Sequence, residues 1–411
     1  MTDQSQTPVL DALRDYRRRD RYGFTPPGHR QGRGIGDTVR EVLGEQPFHG
    51  DVLASSGLDD RRSRGGFLRH AEELMADAVG ADNAFFSTCG SSLSVKAAML
   101  AVAGDHPGGL LLGRDSHKSI VAGLIFSSVR PRWITPQWDA ERHLSHPPSP
   151  AQVDAAWRDN PDAAAALIVS PSPYGTCADL LMTTSPSVPV YGALDGWRHQ
   201  MVHQGHQLLG AAIDLAHDAR TRIDELDGLH VLDDELFGHQ ASHDLDRLQI
   251  LVDVSDLGVS GYQCADWLRE HRHVDVGMAD HRRVLATLSI ADDAATLGRL
   301  IDALADFTRH APALPRCPAI EVPAPDQLAL ETVCAPHTAF FGPTVQMPAD
   351  SAAGCVAAEQ LTPYPPGIPV VVPGERLDAA VIDYLRSGTA AGMAVPDATD
   401  PSLNTFRVRR A

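Results

Sequence analysis

Two short runs of small and polar residues carry most of the chemistry available to this chain. The first is Thr88-Cys89-Gly90-Ser91-Ser92, between a short apolar stretch and a segment of helical character. A small-residue turn that opens a helix presents free backbone N–H groups and the positive end of the helix dipole. Ser91 and Ser92 add hydroxyl donors, so the run suits a phosphate. Serines at a helix start also act as plain N-caps, and the turn alone does not separate the two uses. The second run is Arg114-Asp115-Ser116-His117-Lys118-Ser119, again between a strand-like and a helix-like stretch. In a parallel sheet both runs fall at strand carboxyl ends, the edge where such sheets bind ligands. His117 is placed there to lie against an aromatic ring, although a lone loop histidine is usually just solvated. The chain has two lysines, Lys96 and Lys118, so arginine supplies 33 of its 35 strong bases (35 less the two lysines). Any step that needs a primary amine as nucleophile has only those two candidates.

The elements that must position these runs follow from periodicity. Over residues 67–79, Leu68, Leu74, Met75 and Ala78 form one helical stripe, and Gly80 ends it. The pattern predicts strands at 84–87, 110–112, 132–134 and 164–170, the last fully buried. Helices are predicted at 91–103, 119–126 and 150–158. This alternation implies an α/β fold with a doubly wound parallel sheet. After Pro171 the chain turns loop-like. A long helix over about 191–226 follows, then strands at 229–232, 248–254 and 285–290 with helices at 261–271 and 292–308, as in a smaller α+β domain. Residues 310–325 are Pro/Ala-rich and read as a linker to a compact C-terminal unit. At the other end, a helix over 7–21 precedes a Pro/Gly-rich stretch, either an arm packing on a partner subunit or a flexible leader. The expected division is 1–45 for that arm, 46–205 for the large domain, 206–309 for the small domain and 310–411 for the C-terminal domain.

Bulk properties narrow the partners. A net charge of −18 argues against nucleic acid. The N-terminal residues show no signal peptide, and no apolar run approaches a membrane span, so a cytoplasmic protein is expected. The six cysteines are scattered without a CxxC pair and read as reduced thiols, not as a disulfide frame or metal site.

Eight blocks resemble the ornithine/lysine/arginine decarboxylase family in sequence and in order. They are TPPGHRQG (25–32), LDD (58–60), CGSSLS (89–94), RDSHKS (114–119), SPYGTCADL (172–180), TTSPSVPVYGALD (183–195), DVSDLGVSGYQCADWL (253–268) and TPYPPGIPVVVPGE (362–375). The resemblance implies the aspartate-aminotransferase-type fold of pyridoxal-phosphate (PLP) enzymes, here with an incomplete large domain. It also implies a basic amino-acid substrate and a homodimer or larger assembly. Carried over by position, Ser91 and Ser92 would hold the cofactor phosphate, with Gly90 allowing close approach, and His117 would stack on the pyridine ring. Cys89 and Leu93 depart from the family's Asn-Gly-Ser-Thr-Ser-Gly turn. Glu359 and Glu375 match family acids of unassigned role.

Two family elements have no counterpart. One strand should end in an Asp-x-Ala-His type motif whose aspartate pairs with the pyridine nitrogen. The next should carry Ser-x-His-Lys, whose lysine forms the Schiff base with the cofactor. Here Leu180 is followed almost at once by Thr183-Thr184-Ser185-Pro186-Ser187. Asp179 and Asp195 are the nearest aspartates, and neither ends an apolar strand. Lys118 is the remaining candidate for the amine, yet a family His-Lys-Ser stands at this place without that role. The resemblance therefore implies a decarboxylase of basic amino acids, inactive as written through an internal deletion near residue 181. Three alternatives stand beside this reading. The chain is a non-catalytic partner or regulator of an intact paralogue, an active decarboxylase in which Lys118 or another group substitutes, or a deletion product without independent function.

Overall fold

The computed structural model describes residues 3–18, 29–51, 66–87, 90–105, 109–177, 188–236, 242, 244–323 and 325–410. Residues 25–28, 58–60, 89 and 178–187, and with them the junction near residue 181, lie outside the described residues. The chain divides into two compact units. The first comprises Met1–Ser94 and Met182–Leu208, the second Val95–Leu181 and Leu209–Ala411.

In the first unit, α1 (Pro8–Arg18) and α2 (Asp37–Leu43) precede α3 (Phe67–Val79). Val9 of α1 packs with Leu68 and Ala71 of α3 and with Phe86. Ala71, not the exposed Ala78, completes the α3 stripe. The strand expected at 84–87 does not form. The backbone N–H of Phe86 donates instead to Glu72 Oε1 at 2.8 Å. A side chain thus satisfies the donor that a ladder would have used. Arg198, on the long helix Val188–Asp224, is buried and donates to Gln4 O at 2.9 Å, Gln4 Oε1 at 2.6 Å and Gln6 O.

The second unit begins within α4 (Ser91–Asp105) and continues through β1 (Leu110–Gly113), α5 (Lys118–Ser127) and β2 (Pro131–Ile134). The hairpin β3 (Gln137–Asp139) and β4 (Leu144–His146), α6 (Pro150–Asp159) and β5 (Ala165–Leu167) follow. β2, β1 and β5 form a parallel sheet in that order, with Leu111 opposite Arg132 on one side and Ala166 on the other. β1 is buried along its length. Leu110 and Leu112 pack with Met99 of α4 and with Ile120 and Leu124 of α5. The strand expected at 164–170 is shorter and only half-buried. Among the described residues its one strand neighbour is β1, so it stands at a sheet edge.

Farther along, β6 (His230–Leu232), β7 (Gln249–Asp253), β8 (Met278–Ala279) and β9 (Arg283–Thr287) make an antiparallel sheet ordered β8-β9-β7-β6. Its core sets Ile250 and Val252 against Ala216 and Ala219 of the long helix. It also includes Leu304 and Phe307 of α8 (Ala294–His310), which follows α7 (Gly261–Trp267). Asp293 and Thr296 form a capping box that fixes the start of α8. The C-terminal part pairs β10 (Thr344–Pro348) with β11 (Thr405–Arg409) beside α9 (Ala379–Ala390). Leu361, Val371, Leu385 and Phe406 form its core. Among the described residues, no helix is long and apolar enough to cross a membrane.

Candidate functional site

Gly90 has φ +74°, a left-handed conformation that only glycine adopts freely, and it leads directly into Ser91, the first residue of α4. At the start of this 15-residue helix the Leu93 N–H donates to Gly90 O at 3.0 Å, and the N–H groups of Ser91 and Ser92 are the ones suited to an anion. Gly90, Ser91 and Ser92 belong to the first unit, and His117 to the second.

His117 is the N-cap of α5. Its Nδ1 accepts a hydrogen bond from the backbone N–H of Ser119 at 3.2 Å, which requires that nitrogen to be unprotonated. Burial lowers the imidazole pKa, and the Lys118 charge lowers it further. One edge of the ring rests on Gly367, where a Cβ would lie 2.9 Å from Cδ2 and 3.0 Å from Nε2.

Lys118 is drawn the same way. Its backbone N–H donates to Gly367 O at 2.9 Å. Its Nζ lies 3.0 Å from Asp397 Oδ1 and 4.9 Å from the centroid of the Tyr364 ring. The carboxylate and the ring thus hold the Lys118 side chain against the C-terminal part. Lys96 is half-buried within α4, a turn beyond Ser92.

Arg114 completes the pattern. Its Nη1 donates to Pro369 O at 2.6 Å, and its Nη2 to Val370 O at 3.0 Å and Glu375 Oε2 at 3.1 Å, while the guanidinium carbon lies 5.2 Å from the Trp133 ring centroid. Glu375 is buried, and burial raises its carboxyl pKa against the pull of Arg114. Its Oε2 also accepts from Val372 N at 2.8 Å. Glu359, equally buried, accepts from Thr399 N at 2.7 Å and Arg407 N at 2.5 Å. Both acids therefore tie together the backbone of the C-terminal part. Asp179 lies outside the described residues, as does the side chain of Asp195.

Beside this clasp the second unit contains a cavity of about 290 Å³, with Asp115, Trp133, Trp138, Ser145, Tyr174 and Tyr384 in its wall. Asp115 is 3 % exposed, and neither carboxyl oxygen has a hydrogen-bond partner. Burial pushes its carboxyl up to about 6. Sequence reasoning passed over Asp115, although it lies within a run singled out for His117 and Lys118. The available signal was an acid in the loop at the carboxyl end of an apolar strand. Near Tyr174, the fully buried Arg283 pairs with Asp280 at 3.3 Å, and its guanidinium carbon lies 5.8 Å from the Tyr174 ring centroid.

Comparison with known proteins follows this geometry. Residues 7–182 match the family described as Orn/Lys/Arg decarboxylase, major domain, and residues 327–397 match its C-terminal domain. An arginine decarboxylase of Halalkalibacterium halodurans is 27% identical over 489 residues, covering 99% of this chain and 98% of that protein. One of Bacillus subtilis is 26% identical over 486 residues, covering 98% of each. Among solved structures, the constitutive lysine decarboxylase of E. coli superposes with a TM-score of 0.76 at 17% identity, over 98% of this chain and 82% of that one. The Francisella novicida lysine decarboxylase does so with a TM-score of 0.74, also at 17% identity, over 98% of this chain and 81% of that one.

Proposed function

Because the chain belongs to the Orn/Lys/Arg decarboxylase family, we propose that it is a homologue of the basic amino-acid decarboxylases that does not itself decarboxylate. The observation that carries this reading is the Lys118 ammonium, bound to Asp397 and set over Tyr364. Lys96, the other lysine, lies on a helix beyond the phosphate turn. Two further observations support an internal deletion. The major-domain match ends at residue 182, where the sequence run breaks. The alignment to the H. halodurans relative extends over 489 residues while this chain has 411, so at least 78 positions (489 minus 411) have no residue here.

PLP is the cofactor of this family, and when bound it supplies an electron sink for the bond to the departing carboxylate. By family resemblance Gly90, Ser91 and Ser92 would hold its phosphate, which the glycine turn and helix start of the first unit support, and His117 would face its ring. For its aldehyde the described residues offer two amines, Lys118, held by Asp397 and Tyr364, and Lys96, on the helix a turn beyond Ser92.

The test is to incubate the purified protein with PLP, reduce it with borohydride and map modified lysines by mass spectrometry, alongside amine production from arginine, lysine and ornithine. We expect no pyridoxyl-lysine and no amine, with Lys118→Met indistinguishable from the parent. A pyridoxyl group on Lys118 or Lys96 together with amine product overturns the reading. A second reading, a non-catalytic partner of an intact paralogue, is favoured by the exposed Val202, Leu209 and Ile213. At 100° per residue these three fall within about 40° of one face of the long helix. Co-expression with a full-length homologue and a pull-down decides it, and recovery of homo-assemblies alone refutes it.

A further inference from the structure

The Asp115 cavity is built like a receptor for positive charge. Its wall carries two buried carboxyl groups with oxygens to spare, both of Asp115 and Oε1 of Glu375. Ser145 Oγ, on the same wall, also lacks a partner. A buried carboxylate without a partner is costly, so a ligand that supplies N–H donors and a positive charge recovers the most. Among the described residues the sole cationic one of the wall, Arg114, is already engaged with Pro369 O, Val370 O and Glu375 Oε2. Of the aromatic rings in the lining, Trp133 already faces Arg114 and Tyr174 faces Arg283, which leaves Trp138 and Tyr384 for an entering cation. Ring faces attract cations as well as apolar chains, and a wall of this kind suits an alkyl chain with a charged head.

The same inventory excludes a second group on the ligand. A carboxylate entering the cavity would meet Asp115 and Glu375, and among the described residues of the wall no uncommitted cation receives it. An amine and the amino acid from which it derives are therefore not equivalent here.

From this geometry we propose that the cavity binds a small organic cation without a carboxylate, an alkylammonium or guanidinium compound. The inference rests on the non-catalytic reading in one respect: the ligand is held and released unchanged.

The test is isothermal titration calorimetry on the full chain at pH 7.5 with agmatine, and with arginine as the matched compound that retains its carboxylate. Agmatine should give a saturable isotherm, and arginine should bind at least tenfold more weakly. Asp115→Asn should weaken agmatine at least tenfold. Leu330→Trp, which fills the cavity from a different segment of its wall, should do the same, so the outcome does not depend on one variant folding. Circular dichroism checks the fold of each. No saturable heat with agmatine, equal affinity for arginine, or folded variants that bind like the parent overturns the proposal. Release of amine from arginine in the same cell instead refutes the non-catalytic reading and leaves the agmatine isotherm to judge the site.

Discussion

Asp115→Asn should stabilise the ligand-free protein at pH 7.5 and do much less at pH 4.5. The carboxyl of Asp115 moves from 3.8 to about 6 on folding, because burial disfavours its charged form. Between those values the folded chain holds a proton that the unfolded chain has released. Stability therefore falls as pH rises from about 4 to about 6, then levels off. At about 1.4 kcal/mol per unit, the penalty is roughly 1 kcal/mol at pH 4.5 and roughly 3 kcal/mol at pH 7.5. Asparagine has the same shape and no charge, so it escapes this pH-dependent cost. Its amide hydrogens still need acceptors in the same wall, which trims the net gain at both pH values alike. The advantage of the variant should grow by about 2 kcal/mol between pH 4.5 and 7.5. Urea unfolding of parent and variant at the two pH values measures that double difference. Every other titrating group, Glu375 included, cancels to the extent that the substitution leaves it undisturbed. An advantage that does not change with pH, or one that shrinks as pH rises, refutes the assignment of Asp115 as an unpaired buried acid.

Two further outcomes follow from contacts already described. Arg283→Met removes a fully buried cation and leaves Asp280, itself 5 % exposed, with backbone N–H donors but without this ion-pair partner, so a loss of about 3–5 kcal/mol is expected in the unfolding free energy from urea titration. Gly367→Ala places a Cβ at 2.9 Å from the His117 ring on a backbone of φ +86°. It should cost about 1–3 kcal/mol and shift the His117 ring resonances in an NMR spectrum, whereas an unchanged ring environment would show that the two do not touch.

Much of the architecture was legible because its signals are local. The helix over 67–79 is bounded by glycine, and the alternation of β1, α5, β2 and α6 announces a parallel sheet before any contact is known. The failures share a different cause. Residues 84–87 have strand-like composition, but whether they find a ladder depends on Glu72, which takes the Phe86 N–H first. Residues 164–170 read as a buried strand, but the length that pairs is decided by its neighbours in the sheet. Of the candidate residues, Ser91 and Ser92 were visible as residue types at a helix start, and His117 as one just past a strand. The roles of Glu359 and Glu375 were not, since Glu359 is met by Thr399, 40 positions away, and Glu375 by Arg114, 261 positions away. The unpaired state of Asp115 was equally hidden, because it is a property of the cavity and not of the motif.

The loop from Arg114 to Lys118 fastens the C-terminal part at several points: Pro369, Val370 and Glu375 by Arg114, Gly367 by His117, and Gly367 and Asp397 by Lys118. By family resemblance the same letters read as an active-site signature. Here they also serve as a fastener, and selection for a folded chain alone is enough to keep them. A residue with two employments survives the loss of one. For proteins of this lineage, an intact Arg-x-x-His-Lys-Ser is thus evidence of descent and of assembly, while turnover has to be sought in the segment that carries the amine.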